Sequence, residues 1–193
     1  MHQRSRLKVG LDVPWVTSWS AEQVLGVRPC PSLNGGLAVV QAEQPGCGRP
    51  NYSQNHLVRQ RWSVRRMLCP MCGKPTTQDD RWSQTGRLVT AGALRQKGLA
   101  TLLPVTVPDT ELLLDAGAIS PAHRACADLA LERCPHLQAH ANPEPLRFPN
   151  RWTVLPLKVE ARPQPAHALE RRTRGEAVAV TSFLQLLGLP DAA

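Results

Sequence analysis

The chain has 193 residues, a length that suits one domain, or one domain with an appendage, rather than two full-sized domains. Hydrophobic residues make up 42% and charged residues only 20%, which is enough for a core and excludes a charge-rich disordered chain. The formal net charge is +8, and the 18 prolines and 13 glycines exclude a four-helix bundle or a coiled coil because they interrupt long helices.

The first predicted elements are short and lie among loops. A strand or turn is expected over 13–20, followed by a short helix through Leu25 that Ser18 or Ser20 caps. The proline- and glycine-rich stretch beyond it contains one predicted strand, over 37–40. The N-terminal part of the chain is therefore expected to be loop-rich.

An amphipathic helix is predicted over 55–68, because apolar residues recur there at three- and four-residue spacings. Its other face carries arginines, and its end runs directly into a cysteine motif. Beyond that motif the chain is expected to form a hairpin and loops, with strands over 86–90 and 102–107 and a helical turn over 94–99.

Two further helices are predicted in the middle of the chain. The first covers 109–116, with Asp109 as its cap and Gly117 at its end. The second begins with Ser120 as N-cap and Pro121 at the first position, and runs to about Cys134.

The C-terminal part is predicted to begin with an edge strand. Apolar residues alternate with others over 153–159, and Pro156 confines such a strand to the edge of a sheet. Residues 161–176 are polar and basic. Residues 177–188 are expected to form a strand, a helix, or one after the other.

A cysteine pair forms the first half of a predicted metal site. Cys69 and Cys72 are separated by two residues, the spacing of zinc knuckles, in which two thiolates of one tight turn reach a tetrahedral ion. Gly73 leaves room for the backbone to turn beneath the metal.

His123 and Cys126 form the predicted second half of the site. At positions i and i+3 of a helix they lie on one face, and the dipole at a helix N-terminus favours a thiolate. The four ligands predicted to hold one structural Zn²⁺ per chain are Cys69, Cys72, His123 and Cys126. A knuckle, a hairpin and then two ligands in the first turn of a helix would make a treble-clef-like core.

Three alternatives stay open for these residues. The cysteine pair could be a thioredoxin-like redox site, although such a site opens a helix in a βαβ unit that the sequence does not indicate. His123 could be an ordinary surface histidine. Cys126 could be a buried core residue, since free cysteines are often buried.

The other cysteines fit the same site poorly. Cys134 lies eight residues after Cys126, which is about 12 Å along a helix. Because a Zn–S bond is only about 2.3 Å long, the two cannot share an ion, and Cys134 is predicted to be a core residue. Cys30 and Cys47 have no ligand neighbour at close spacing and are interpreted as free thiols, with a pairing between them left open.

The stretch over 55–140 resembles a group of uncharacterised zinc-binding proteins of actinobacteria and their phages. The shared order is an arginine-rich run, Cys-x-x-Cys-Gly at Cys69, His-x-x-Cys-Ala at His123 and Cys-Pro-His-Leu at Cys134. The segment Pro-Trp-Val-Thr-Ser-Trp-Ser at Pro14 is similar to their N-terminal part. The resemblance implies zinc binding through the same four ligands, with Cys or His at the third position. It also implies a structural role for Cys134, and it brings no known activity.

Enzyme classes with related motifs do not fit the sequence. An HNH nuclease needs a histidine base in the hairpin, and residues 73–122 contain no histidine. A zinc deaminase needs His-x-Glu before its cysteine pair, and neither this motif nor a Walker loop nor Gly-x-Ser-x-Gly occurs. Four protein ligands leave no position for water on the ion, so we predict a structural site and no enzymatic activity.

Two arginine clusters point to a binding function. They consist of Arg59, Arg61, Arg65 and Arg66, and of Arg171, Arg172 and Arg174. Together with a pI near 9.8, they predict phosphate contacts with DNA or RNA. The alternative is that these arginines have no binding role and only form solvated faces of a basic protein. The alternative function is a protein-interaction module, such as a phage-encoded inhibitor or adaptor of a host machine, because tryptophans and proline-rich loops suit an interface.

These observations predict an α+β protein in three parts. They are a loop-rich segment over 1–54, a zinc-binding core over 55–140, and a basic segment over 141–193 that packs on the core and adds a strand or helix. No apolar run approaches the ~20 residues of a membrane span, and Asp12 and Pro14 interrupt any secretory signal. A cytoplasmic location, where thiols stay reduced, is therefore expected.

Overall fold

The computed structural model describes residues 3–99, 103–140, 142, 144–161 and 178–190. Within these residues the α-helices are Leu57–Arg66 (α1), Ala91–Leu94 (α2), Arg124–Arg133 (α3) and Pro135–His140 (α4), and further helical turns lie at Pro31–Leu33 and Arg95–Leu99. The strands are Thr17–Trp19 (β1), Val24–Pro29 (β2), Leu37–Gln41 (β3), Pro50–Asn55 (β4), Trp82–Ser83 (β5), Arg87–Thr90 (β6), Leu112–Gly117 (β7), Leu146–Arg147 (β8), Arg151–Ala161 (β9) and Val178–Leu189 (β10). This mixture confirms the α+β class, and none of the described helices is both long and apolar enough to cross a membrane.

The main sheet is built around β10. This strand pairs along its whole length with β9, and its other side pairs with β3 in parallel and with β7 antiparallel. The edges are completed by β2 beside β3 and by β6 beside β7. The sheet therefore takes strands from all three predicted parts of the chain, which are 1–54, 55–140 and 141–193.

Side chains alternate along β10 between two apolar layers. Leu184 and Leu186 pack on the side of α1, against Val64. Leu187 and Leu189 pack on the opposite side, with residues of α2. Each leucine that is fully buried in this way contributes about 1.5–3 kcal/mol, so the sheet has a core on both faces.

A side chain of α1 fills the place where β3 and β7 separate along β10. Between these two strands, the backbone of Leu184 has no strand partner on that side among the described residues. Gln60 supplies the missing bonds: its Nε2 donates to the carbonyl oxygens of Leu184 (2.6 Å) and Ala118 (2.9 Å). Its Oε1 accepts from the Leu184 N–H at 3.0 Å, so one amide takes the part of a neighbouring strand.

Several predicted elements are confirmed. The helix predicted over 55–68 is α1, and the strands predicted over 37–40 and 86–90 are β3 and β6. The helical turn expected over 94–99 is present, and β9 pairs only with β10 among the described strands, as Pro156 requires of an edge strand.

Three predictions of local structure are wrong. Residues 109–116 form no helix but contain most of β7, because Leu113 and Leu114 bury their side chains on opposite faces of the sheet, which only a strand allows. No helix follows Ser20. Glu22 accepts a hydrogen bond from the Trp19 backbone there, and the chain continues into β2. No strand forms over 103–107, and residues 100–102 lie outside the described part.

Candidate metal centre

Four side chains from two distant parts of the chain come together at one site. They are Cys69, Cys72, His123 and Cys126, whose ligand atoms all lie within 4.8 Å of one another. Cys69 is buried and the other three are half-buried. The structure thus brings together all four residues that the sequence predicted as ligands, and they could hold a metal ion.

The first two ligands lie in a tight turn directly after α1. The Cys69 N–H donates to the Lys74 carbonyl, and the Gly73 N–H donates to the Cys69 carbonyl, both at 2.8 Å. Gly73 has φ +74°, and a Cβ atom there would lie 2.8 Å from the Trp15 ring. The turn therefore requires glycine for its backbone conformation and for the close approach of the indole.

The N-terminal segment packs on this turn, a contact that the sequence analysis did not predict. The backbone N–H groups of Trp15 and Val16 donate to the carbonyls of Met71 (2.7 Å) and Pro70 (3.0 Å). These bonds satisfy two carbonyls of the cysteine turn, and the Trp15 ring covers its glycine. The segment therefore holds the turn from outside.

The other two ligands lie at the start of α3. His123 occupies the N-cap position and Cys126 lies in the first turn, three residues later. The prediction of Ser120 as N-cap is wrong, because its hydroxyl donates to the Leu68 carbonyl at 2.8 Å. Ala122 exchanges two backbone hydrogen bonds with Trp82, so the chain is still extended there and the helix begins later.

The His123 ring is oriented with Nδ1 towards the thiols. Nδ1 lies 3.5 Å from the Cys72 sulfur and 3.9 Å from the Cys126 sulfur. Nε2 lies 3.0 Å from the Pro75 carbonyl oxygen, to which it donates. Histidine ligands of metals commonly have this arrangement, in which the second nitrogen is held by a carbonyl or a carboxylate.

The electrostatics of the cluster match a cationic ligand. Burial raises the pKa of the Cys126 thiol to about 12, and the thiols of Cys69 and Cys72 add to this shift. Burial also raises the pKa of Cys69. A divalent cation among three sulfurs and an imidazole nitrogen would offset this cost, because metal binding replaces the thiol protons.

Cys134, the predicted core residue, lies apart from the cluster. It follows the last residue of α3 and accompanies no other ligand in the described metal-binding groups. It is a half-buried free thiol rather than a fully buried one. Cys30 and Cys47 are also free thiols, with no disulfide between them.

Arg59 and Arg61 do not belong to an exposed arginine row, and their predicted role in binding phosphate is wrong. Their exposed fractions are 3% and 0%. Arg59 forms two hydrogen bonds with the Glu22 carboxylate, at 2.6 and 2.8 Å. Arg61 donates to Ser32 and to the carbonyl of Ser182. Both guanidinium groups are thus used inside the protein.

Arg65 and Arg66 remain exposed at the end of α1. Arg65 donates to the Ser32 carbonyl at 2.8 Å and to the Asn34 side chain at 3.0 Å, which fixes its direction. The Arg66 guanidinium lies 3.7 Å from the centre of the Trp62 ring. The second predicted cluster, Arg171, Arg172 and Arg174, lies outside the described residues.

A buried polar network, which the sequence analysis missed, ties the N-terminal segment to α1. Burial opposes the charged form of Glu22, but the hydrogen bonds and charge of Arg59 outweigh it and lower the pKa of this carboxyl. His56 accepts from the Arg59 N–H through Nδ1 and caps α1. Burial, followed by the charge of Arg59, lowers the pKa of His56 to about 4. A polar residue directly before a helix is the one signal that could have indicated His56.

Comparisons of the chain with protein-family models, with curated proteins and with solved structures find no match. The resemblance to zinc-binding proteins of actinobacteria and their phages therefore stays a prediction.

Proposed function

We propose that the protein is a non-enzymatic binding factor whose fold is stabilised by one structural Zn²⁺. The observation that carries this proposal is the convergence of three thiols and one imidazole nitrogen within 4.8 Å. Three sulfurs and one nitrogen form a ligand set of structural zinc sites, which are four-coordinate and tetrahedral. The cysteine turn and the start of α3 would supply the two ends of a treble-clef-like core around the ion.

A closed shell of protein ligands supports the absence of catalysis at this site. With four protein ligands, a tetrahedral ion keeps no position for water or substrate. The bond of His123 to the Pro75 carbonyl and the cover provided by Trp15 hold the ligands in place, as a structural role requires. A site with three thiolate ligands needs reduced cysteines, which fits the expected reducing compartment, such as the cytoplasm.

Metal analysis tests the structural site. We expect about one zinc per chain in protein purified without chelator, and a cobalt-substituted form whose visible spectrum indicates tetrahedral sulfur coordination. His123→Ala should weaken metal affinity, and Gln138→Ala, an exposed change on α4, should serve as the control. Protein that contains no zinc, and takes up no cobalt after reduction of its thiols, would overturn the proposal.

We further propose that the partner is a nucleic acid contacted through its phosphates. The support is the net charge of +8 and the exposure of Arg65 and Arg66 next to the metal centre. Arg66 has no hydrogen bond to another side chain among the described residues, and its stacking on Trp62 leaves its N–H edge for a phosphate. No base-reading motif is present in the sequence, so we expect little sequence preference.

Fluorescence anisotropy with labelled single- and double-stranded oligonucleotides tests this partner. Arg65→Ala with Arg66→Ala should lower the affinity and also the salt slope, which is about −0.9 per phosphate contacted on duplex DNA. The matched control is Arg87→Ala with Lys97→Ala, which removes the same charge from β6 and from the turn after α2. Equal losses in both double variants would indicate only non-specific attraction to a basic protein.

A second candidate function, an adaptor or inhibitor that binds another protein, is favoured by a different surface. Leu88 and Leu112 are 60% and 54% exposed and lie near each other on the main sheet. Both leucines line one apolar groove together with Leu114 and Leu146, and a contiguous apolar patch is typical of an interaction site.

A further inference from the structure

An apolar groove lies over β6, β7 and the end of β10 in the main sheet. Its volume is about 260 Å³, and its apolar lining includes Leu88, Leu112, Leu114, Leu146, Pro149 and Leu189. Leu88 pairs with Leu114 across the strands, so the exposed Leu88 forms the outer wall of the groove.

The groove adjoins an open edge of the sheet. The Ala91 N–H donates to the Glu111 carbonyl at 2.9 Å, so the backbone of Ala91 faces β7. Because backbone groups alternate along a strand, those of Leu88 and Thr90 face away from β7. The Thr90 carbonyl belongs to the first turn of α2, since Thr90 is the N-cap of that helix, so the edge offers the Leu88 N–H and carbonyl and the Thr90 N–H. No strand pairs with this outer edge of β6 in the part of the chain that the structure describes. The edge begins after Gly86, whose carbonyl accepts a hydrogen bond from the Asn142 side chain at 3.0 Å.

The rim of the groove is positively charged. Arg147 is one of its lining residues, and Arg151 donates to the carbonyl of Pro190, which also lines it. Arg147 lies 3.3 Å from Asp79, but both side chains of this pair are exposed, so the interaction is weak and can be exchanged. None of the described acidic residues lines the groove.

We propose that this groove binds an extended peptide segment of a partner protein, with an apolar side chain between Leu88 and Leu112 and a carboxylate near Arg147 and Arg151. The peptide backbone pairs with the outer edge of β6, a known mode of peptide recognition in which main-chain bonds give affinity and side-chain pockets give specificity. A second copy of this chain is disfavoured, because a twofold contact through the groove would bring two positively charged rims together. This inference rests on the second candidate function, that of an adaptor or inhibitor that binds another protein. It does not depend on the proposed zinc site or on the proposed binding of nucleic acid.

A phage-displayed library of random peptides is a direct probe of the groove. Selection on the wild-type protein should enrich peptides that combine one large apolar residue with Asp or Glu a few positions away. Synthetic peptides from the selection should bind with a measurable Kd by fluorescence polarisation. Their affinity should fall several-fold between 50 and 500 mM salt, because exposed charge pairs are screened.

Three variants locate the binding. Leu88→Asp places a like charge beside the peptide carboxylate and should weaken binding at least tenfold. Arg147→Glu with Arg151→Glu should weaken acidic peptides by a similar factor. Val105→Asp is the control, because Val105 is an exposed apolar residue outside the groove, and it should leave the Kd unchanged. Circular dichroism and zinc content should match the wild type in all of them.

Three outcomes would overturn the proposal. The first is a selection that enriches nothing over an unrelated protein. The second is enriched peptides that bind Leu88→Asp as tightly as Val105→Asp. The third is a concentration-dependent dimer, seen by light scattering, that Leu88→Asp abolishes, since the occupant would then be a second copy. None of these results bears on zinc content or on oligonucleotide binding, so the proposed function is tested separately.

Discussion

The side-chain amide of Gln60 should contribute more to the free energy of unfolding than an ordinary glutamine side chain does. Replacing it by Leu keeps much of the side-chain volume but removes the bonds to Leu184 and Ala118. Two buried backbone groups, the N–H and the carbonyl of Leu184, would then lose this partner, and so would the half-buried carbonyl of Ala118. These groups lie where β3 and β7 separate, so no strand replaces the amide on that side among the described residues.

The magnitude follows from the number of groups left unpaired. A hydrogen bond contributes about 0.5–1.5 kcal/mol, and a buried group without a partner costs about 1–3 kcal/mol. The two buried groups of Leu184, with a smaller share from the half-buried Ala118 carbonyl, give a loss of about 2–5 kcal/mol for Gln60→Leu, a large share of the 5–15 kcal/mol typical of a domain. Gln60→Glu should cost more still, because it places a carboxylate against two carbonyl oxygens.

Urea unfolding at constant zinc content measures this loss. The control is Gln54→Leu, an exposed glutamine of β4, which should change the free energy of unfolding by less than about 0.5 kcal/mol. If Gln60→Leu unfolds within about 1 kcal/mol of the wild type, the amide does not take the part of a strand, and the reasoning is refuted.

The metal centre and the buried histidine lead to three further expectations. Cys126→Ser should lose zinc and unfold, because structural zinc contributes on the order of 10 kcal/mol to the stability of the fold. Cys134→Ala should keep zinc and lower the free energy of unfolding by about 1–3 kcal/mol. Metal analysis that finds zinc in Cys126→Ser but not in Cys134→Ala would contradict the ligand set. Gly73→Ala should cost about 1–3 kcal/mol through its positive φ and the Trp15 contact, measured by thermal unfolding. Because the folded pKa of His56 is lowered to about 4 from an ordinary 6.5, the unfolded chain binds its proton first. The free energy of unfolding should therefore fall as the pH drops from about 6.5 to about 4. His56→Asn should flatten this pH dependence, and an unchanged pH dependence in the variant would contradict the role of His56.

The four residues of the candidate metal centre could be predicted from the sequence because their spacing is a local pattern. Two thiols separated by two residues can reach one ion in any fold that keeps the turn, and a histidine three residues before a cysteine needs only one helical turn. What the spacing did not contain is the Trp15 contact, which depends on a segment more than fifty residues away from Gly73. Local patterns predict the ligands, and the tertiary fold supplies what holds them.

The arginines of α1 illustrate the opposite case. Periodicity places Arg59, Arg65 and Arg66 in one helix, but it does not reveal what each side of that helix meets. Arg59 is buried because Glu22, distant in sequence, lies opposite it, and Arg61 because carbonyl and hydroxyl oxygens surround it. A charged residue is buried only when partners exist, and those partners are set by the tertiary fold.

The apolar run at Leu112–Gly117 was wrongly predicted as a helix, and the run at Val178–Leu189 was left as a strand or a helix, for a related reason. Short runs of leucine suit a buried helix or a buried strand, and periodicity does not separate them. Here β10 lies between β9 on one side and β3 and β7 on the other, so its sequence is apolar on both faces. The choice between helix and strand is made by pairing with residues far along the chain.

The metal centre and the main sheet share one helix, and this connection argues against an independent zinc module. Met67, at the end of α1, packs in the sheet core beside Leu186, while its carbonyl accepts hydrogen bonds from the backbone and hydroxyl of Thr76, just beyond the cysteine turn. At its other end, α1 is held by Glu22 through Arg59, and the same N-terminal segment reaches the cysteine turn through Trp15. Loss of the metal would therefore release contacts on both sides of α1. Since a ligand that binds only the folded state stabilises all that unfolds with it, zinc bound at this centre would stabilise the sheet as well as the turn.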